Sequence, residues 1–417
     1  MSYRPLDERS VPGFLAAVPG LASRLGPPPW RVREVGDGNL NLVFLVDGPD
    51  GGLCVKQSLP YVRAAGPGWP LPLERAFFEH EHYRAVAPHV AGLAPAIHHY
   101  DAEQFCLVME QLSPHVILRR GLVAGQAYPH AIPAVAAYVA QACFATSPLA
   151  QPFEAVADAV ALFARNQSTL RISTDLIFAD PYRIAARNRW TSPQLDAAAA
   201  TFRADARVKR AVSELGYRFL TCKQALLHGD LHSGSVMVTA HDTRVIDPEF
   251  ALYGPIGFDL GAFLANLALN HHAQFALMPP GDARDALQGW LVAAMAQFWH
   301  RFRARFLELW RGPTAGDAFP AALFTDAAGA LALDAARERF MAKVLRDAVG
   351  YAAVKIIRRI LGFAHVLDLE AIADPDRRAA CERACLAFAR ETLLDPGAVT
   401  DIEAWAAAVA RSGAALA

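Results

Sequence analysis

The chain has 417 residues and a formal net charge of −1; 53% of its residues are hydrophobic and 19% are charged. This composition predicts a large buried core, excludes wholesale disorder, and argues against a nucleic-acid or anionic-membrane partner held by bulk electrostatics. Because we find no membrane-spanning apolar run, no signal peptide and no metal-type spacing among the six cysteines, we expect a cytoplasmic protein with reduced thiols.

The first third of the chain alternates apolar and polar residues with a period of two, which is typical of β-strands. One amphipathic helix is predicted over 11–25. The strands that follow are predicted over 30–36, 40–46, 53–57, 96–101 and 105–110. Together they predict a five-stranded antiparallel sheet.

A glycine-rich turn joins the first two of these strands. It reads G-D-G-N-L-N and contains Gly36, Asp37, Gly38, Asn39 and Asn41. Two glycines in a strand–turn–strand let the backbone fold closely over a phosphate and direct N–H groups at it. Such a hairpin alone is weak evidence, because most glycine-rich hairpins are simply tight turns, and its value comes from the residues that follow.

Lys56 lies on the third predicted strand, and a helix is predicted over 73–86. In some nucleotide-binding enzymes a strand Lys holds the α and β phosphates and pairs with a Glu on the next helix. Glu79 is the preferred partner from its spacing, and Glu81 is the alternative. The loop between them carries Trp69, which either closes over the site or only staples the loop to its lobe.

After Ser113 the apolar residues recur with helical spacing almost to the end of the chain, including the stretch from Pro193 to Tyr217. The only strands expected here form a hairpin over 235–239 and 244–246. We therefore predict an N-terminal lobe over 1–112 and a helical C-terminal lobe over 113–417.

The hairpin places Asp230, before its first strand, near Asp247 and Glu249, after its second. Three carboxylates brought together repel one another unless a positive group lies among them, and a divalent metal carried on a phosphate supplies it. The arrangement suits phosphoryl transfer, in which Asp230 orients a substrate hydroxyl while Asp247 and Glu249 hold Mg²⁺.

The strings H-G-D-L-H-S-G-S, from His228, and D-P-E-F, from Asp247, resemble the catalytic segment of protein-kinase-like small-molecule kinases. That group includes aminoglycoside phosphotransferases and choline kinases, and within it the chain is most similar to the 5-methylthioribose kinase family. Ser235 stands where the wider group has Asn. A Ser hydroxyl is a weaker metal ligand than an Asn carbonyl, and Glu249 offers a second carboxylate to compensate.

The same resemblance assigns roles to residues elsewhere in the chain. Arg358 and Arg359 are implied to hold the sugar or the transferred phosphoryl group, although surface solvation of either remains an alternative. Burying an Arg without an anion is costly, so at least one should meet a carboxylate or phosphate. Trp69 and Asn41 are expected near the nucleotide and sugar. Asp259 is expected to bond the catalytic-loop backbone, to cap its own helix, or to do both.

We therefore expect an α+β, bilobal protein-kinase-like fold with ATP and Mg²⁺ in the cleft. Backbone groups of Glu110, Gln111 and Leu112 would contact adenine at the hinge. The resemblance implies phosphorylation of 5-methylthioribose at its anomeric hydroxyl, giving a 1-phosphate for methionine salvage, by a homodimer. A kinase for another pentose, amino alcohol or antibiotic is the alternative. A nucleotide-binding pseudokinase, supported only by Ser235, is a second one.

Overall fold

The computed structural model of the chain describes residues 3–36, 40–63, 66–313, 315–395, 399–414 and 416. Its N-terminal strands are β1 (Arg31–Glu34), β2 (Asn41–Asp47), β3 (Gly52–Ser58), β4 (Ile97–Asp101) and β5 (Cys106–Glu110). They form one antiparallel sheet in the order β1-β2-β3-β5-β4, so the predicted five-stranded sheet is confirmed.

Helices make up most of the remaining chain. They are α1 (Val11–Ala17), α2 (Ala22–Leu25), α3 (Arg75–Val86), α4 (Leu118–Val123), α5 (Ala131–Ala145), α6 (Phe153–Phe163), α7 (Gln167–Phe178), α8 (Asp196–Ala204), α9 (Ala206–Thr221), α10 (Gly257–Leu277), α11 (Asp282–Arg311), α12 (Ala327–Leu361), α13 (Leu367–Glu370), α14 (Pro375–Leu394) and α15 (Ile402–Ala414). The two-lobed α+β architecture predicted from the sequence is therefore confirmed. Among the described residues, no helix has both the length and the apolar character needed to cross a bilayer.

The N-terminal sheet is covered on both faces. Val55 and Val108 point toward α1 and α2, whereas Leu107 packs with Tyr83 of α3 on the opposite face. Because side chains alternate along a strand, Lys56 points to the same face as α3. The strand period therefore brings the predicted Lys and the predicted Glu helix together.

Two helix predictions require correction, because each long segment is divided by a local breaker. The segment over 11–25 forms α1 and α2, separated where Gly20 adopts φ +83°. The segment over 193–217 forms α8 and α9. The carboxylate of Asp205 accepts hydrogen bonds from the N–H groups of Arg207 and Val208 and so begins α9.

The expectation that the C-terminal half has only the hairpin strands is wrong. Its described strands are β6 (Val116–Ile117), β7 (Ala225–Leu227), β8 (Val236–Val238), β9 (Thr243–Val245) and β10 (Leu252–Gly254). The hairpin is β8 and β9, but β6 also pairs with β8, and β7 pairs with β10. Strands of two or three residues that pair with distant segments leave no periodic signal.

Helices α10 and α12 pack closely in the C-terminal lobe because two glycines face the contact. A Cβ atom on Gly257 would lie 2.5 Å from Cβ of Asp347, and one on Gly261 would lie 2.4 Å from the carbonyl oxygen of Ala348. Glycine therefore lets the backbones approach at both points. This packing brings the C-terminal half of α12 next to the loop over 228–235, where Lys355 meets Asp230.

Candidate active site

The catalytic loop over 228–235 follows β7 and is held by one buried carboxylate. Asp259 accepts hydrogen bonds from the N–H of His228 at 2.7 Å and from the N–H of Gly229 at 3.0 Å. Gly229 adopts φ +86°, and a Cβ atom there would lie 2.0 Å from the carbonyl oxygen of Phe250. Asp259 makes no side-chain cap to α10, so the helix-cap alternative is wrong.

Asp230 lies in a cluster of positive side chains. Its carboxylate is 3.4 Å from Nζ of Lys355, 3.7 Å from Arg358 and 3.9 Å from Arg359. Burial alone raises the pKa of Asp230, but the hydrogen bond from His232 and the attraction of Lys355 and Arg358 outweigh it and hold this pKa well below its usual range. Asp230 is therefore a carboxylate at neutral pH, surrounded by surplus positive charge.

His232 orients the Asp230 carboxylate. Its Nδ1 accepts a hydrogen bond from the N–H of Gly234 at 3.0 Å, and burial lowers the pKa of His232 to about 3. The imidazole is therefore neutral and carries its proton on Nε2, which lies 3.3 Å from Oδ2 of Asp230. The second histidine of H-G-D-L-H thus donates to the carboxylate, a role not predicted from the sequence.

The three cations beside Asp230 come from one face of α12. Lys355, Arg358 and Arg359 are spaced i, i+3 and i+4, which places them next to one another on a helix. The sequence reasoning singled out both arginines but missed Lys355, which the pattern K-x-x-R-R could have revealed. Both arginines are buried, at 6% and 7% exposure, so the surface-solvation alternative is wrong.

Burial lowers the pKa values of Lys355 and Arg358. It lowers the pKa of Lys355 to about 8, although Asp230 opposes the shift, and it lowers the pKa of Arg358 to about 10. Lys355 also lies over the ring of Phe258, with Nζ 4.1 Å from the ring centre, which partly replaces lost hydration. These side chains remain mostly charged at neutral pH and still need an anion.

Lys56 links the sheet to the hairpin. Its Nζ lies 2.7 Å from Oε2 of Glu79 and forms a short ion pair with Asp247, whereas Glu81 pairs with Arg84. Burial alone lowers the pKa of Lys56, but Asp247 and Glu79 raise it overall. Burial raises the pKa of Glu79 to about 7 and that of Asp247 to about 6. The Asp247 side chain is 44% exposed, so solvent screens part of the effect of burial on the pKa of Asp247.

A cluster of carboxylates lies where the sequence predicts the metal. Oxygens of Glu79, Asp247 and Glu249 all lie within 4.8 Å of one another, a grouping that suits a divalent cation with oxygen ligands. Glu79 joins this group, whereas Asp230 faces the cations of α12. The Ser235 hydroxyl lies 3.1 Å from the Asp230 carbonyl oxygen, inside the loop, so its role as a metal ligand stays a prediction.

The predicted nucleotide and sugar residues are only partly described. Gly36 is exposed two residues after β1, whereas Asp37, Gly38 and Asn39 lie outside the described residues. Asn41 is buried and donates to Oε2 of Glu249 at 3.0 Å. Its amide therefore holds a predicted metal ligand.

The hinge residues are the last residue of β5 and the two that follow it. Glu110 contacts Arg244 at 3.1 Å, Gln111 donates to Asp47 at 2.9 Å, and Leu112 is half-buried. These side-chain contacts tie the segment to the hairpin and to β2. Binding of adenine by its backbone stays a prediction.

Trp69 extends from its loop to the C-terminal lobe. Its ring centre lies 5.3 Å from that of Phe363, just after α12, and the Arg187 guanidinium lies 4.1 Å above it. The loop is therefore attached next to the helix that carries Arg358 and Arg359. Contact of Trp69 with a nucleotide stays a prediction.

Comparison with known proteins identifies the family of this chain. A model of the phosphotransferase enzyme family matches residues 31–298. Methylthioribose kinase 2 of Oryza sativa subsp. japonica is 40% identical over 400 residues, covering 94% of this chain and 92% of that protein. The methylthioribose kinase of Escherichia coli is 40% identical over 396 residues, covering 94% of both chains. The chain belongs to the methylthioribose kinase family.

A third member of that family, the methylthioribose kinase of Yersinia pseudotuberculosis, is 39% identical over 385 residues and covers 92% of this chain and 91% of its own. The family resemblance predicted from the catalytic segment is therefore confirmed over nearly the whole chain. The general phosphotransferase match includes Lys56 and the catalytic loop but ends before α12. The cations beside Asp230 thus lie outside the part matched by the general model.

Proposed function

We propose that this chain is an ATP-dependent kinase that phosphorylates the anomeric hydroxyl of 5-methylthioribose and gives the 1-phosphate and ADP, in methionine salvage. The observation that carries the proposal is the position of Asp230. It stands between two groups of side chains. On one side, Lys56, Glu79 and the neighbouring carboxylates suit a nucleotide, and on the other the cations of α12 suit a phosphorylated product. Family membership across 94% of the chain supports the choice of sugar.

On the acceptor side, Asp230 would accept a hydrogen bond from the sugar hydroxyl and orient it for attack. Its depressed pKa makes it a weak base, so orientation is its main contribution before transfer, and it takes up the proton as the new bond to phosphorus forms. His232 and Lys355 hold the carboxylate in place. Arg358 and Arg359 would offset the charge on the transferred phosphoryl group.

On the nucleotide side, Lys56 would move from Asp247 to the α and β phosphates while keeping its contact with Glu79. Asp247 and Glu249, with Ser235 as a further candidate, would hold Mg²⁺, which when bound neutralises charge on the phosphates. The glycine-rich turn would cradle the phosphates, and the backbone over 110–112 would bind adenine. We propose that the N-terminal lobe comprises residues 1–112 and the C-terminal lobe residues 113–417.

The charge of the acceptor end supports a neutral sugar over a cationic acceptor. Within about 4 Å of Asp230 lie Lys355, Arg358 and Arg359, three positive groups beside one carboxylate. An amino alcohol or aminoglycoside would add positive charge to that surplus, whereas a sugar 1-phosphate would relieve it. A different neutral pentose remains the second candidate, because the same charges would accept it.

A coupled assay of ADP release tests the proposal. Mg²⁺·ATP is combined with 5-methylthioribose, ribose, choline or kanamycin, with the Asp230→Asn variant in parallel. We expect saturable turnover on 5-methylthioribose that is lost in the variant. Turnover on another acceptor alone would overturn the substrate assignment, and nucleotide binding without turnover on any of them would favour the pseudokinase.

We further propose a cytoplasmic homodimer that takes neither nucleic acid nor membrane as a partner. The described cysteines are free thiols, which is typical of a reducing compartment, and the chain is close to neutral. The dimer rests on the family resemblance. Light scattering would give twice the 45.1 kDa chain mass for a dimer, and the chain mass itself would contradict it.

A further inference from the structure

Arg75 is a buried cation whose position the sequence reasoning did not single out. It is the first residue of α3, and its side chain is 0% exposed. A buried arginine is costly unless its charge is balanced and its N–H groups are bonded. The ion pair with Glu249 supplies the charge balance.

Every N–H group of the Arg75 guanidinium has an acceptor. These acceptors are Oε2 of Glu249 at 3.4 Å, the carbonyl oxygens of Leu59 at 3.0 Å, Pro72 at 2.9 Å and Leu40 at 3.1 Å, and Oδ1 of Asn41 at 2.9 Å. A guanidinium has five N–H donors in a rigid plane, so the set is complete. A lysine has three donors on one nitrogen and could not reach all five acceptors.

Asn41 closes a triangle with Arg75 and Glu249. Its Oδ1 accepts from Arg75, and its Nδ2 donates to Oε2 of Glu249 at 3.0 Å. Both contacts on the carboxylate fall on Oε2, so they orient Glu249 without using Oε1. The start of β2, directly after the glycine-rich turn, is thereby tied to a predicted metal ligand.

Arg75 also closes the base of the Trp69 loop. Leu59 and Pro72 lie at the two ends of that loop, and both carbonyl oxygens bond the same guanidinium nitrogen. Between these two ends, Trp69 attaches the loop to Phe363, just after α12. One side chain therefore connects the metal cluster, the nucleotide turn and a loop that reaches the acceptor helix.

We propose that Arg75 is a positioning residue that aligns Glu249 for the metal–nucleotide complex and holds the Trp69 loop in register with it. The inference rests on the proposed function only in assigning Glu249 to the metal. Removing Arg75 would take away one of the two contacts on Oε2 of Glu249 and would leave Oδ1 of Asn41 without its donor. The affinity for Mg²⁺·ADP should fall more than the affinity for ADP without metal.

Calorimetric titration of the whole protein with ADP, with Mg²⁺ or with EDTA, tests this without any acceptor. Loss of a residue that orients a metal ligand weakens metal affinity by roughly 10- to 100-fold, and we expect that loss for Mg²⁺·ADP in Arg75→Ala and Arg75→Lys. Guanidinium added at low concentration should restore part of it in Arg75→Ala only. Arg84→Ala is the matched control, because Arg84 lies on the same helix with a side chain that is 67% exposed.

Equal weakening of ADP binding with and without Mg²⁺ in a folded Arg75 variant would overturn the proposal, because a merely structural role predicts that result. If Arg75→Ala does not fold, Asn41→Ala removes two of the three contacts of the triangle, and unchanged Mg²⁺·ADP affinity there would also overturn it. A protein that shows the Mg²⁺-specific loss but phosphorylates no methylthioribose would keep this inference and overturn only the proposed substrate.

Discussion

Replacing Lys355 with Met removes one positive charge from beside Asp230 and keeps an unbranched stem. The Lys355 Nζ lies 3.4 Å from Oδ1 of Asp230, and its side chain is only 3% exposed. The Lys355 Nζ lies over the ring of Phe258, where the thioether of Met can also contact the ring without a charge. The substitution therefore perturbs charge more than packing.

The size of the effect follows from this distance. At an effective dielectric constant of about 20, two unit charges 3.4 Å apart attract by roughly 5 kcal/mol. The desolvation of Lys355 and the repulsion from Arg358 and Arg359 offset about half of that, which leaves about 2–3 kcal/mol. Because about 1.4 kcal/mol corresponds to a factor of ten, we expect kcat/KM to fall about 30- to 150-fold.

The assay is steady-state kinetics from about pH 3 to about pH 9, a range that reaches the acid limb. Lys355 lowers the pKa of Asp230, so its removal raises that pKa, and the acid limb of kcat/KM should move to higher pH. Lys343→Met is the control, because Lys343 is exposed on the same helix. An unmoved acid limb with a rate within about twofold of the wild type would refute the reasoning.

Three other outcomes are expected. Gly229→Ala should lower the free energy of unfolding by at least about 2 kcal/mol in a denaturant titration, because Gly229 has φ +86° and an added Cβ would clash with the Phe250 carbonyl oxygen. An unchanged free energy of unfolding would contradict this. Thermal stabilisation by Mg²⁺ should grow from about pH 5 to about pH 7.5, because Asp247 and Glu79, with pKa values raised to about 6 and 7, lose their protons over this range. A stabilisation by Mg²⁺ that grows as the pH falls would count against the metal cluster. Asp259→Asn should cost about 1.5–3 kcal/mol of stability and lower kcat, because an amide offers one oxygen to two loop N–H groups; full activity in steady-state assays would argue against loop positioning.

Local patterns predicted the parts of the site that depend on backbone period. The alternation of β3 places Lys56 on the face toward α3, where Glu79 lies one helical turn beyond Arg75. The i, i+3, i+4 spacing on α12 likewise brings three cations together, and Lys355 was missed because only the adjacent arginines were considered. Both periods are properties of the chain itself, so they can be read without knowledge of the fold.

By itself the sequence determined the five N-terminal strands, the catalytic hairpin and the residue types suited to phosphoryl transfer. Only the tertiary structure decided which charges meet. Asn41 and Glu249 are 208 residues apart, and Arg75 and Glu249 are 174 apart, yet they share one hydrogen-bonded triangle. A buried ion pair between distant segments has no period in the sequence, because its geometry exists only after both lobes have packed.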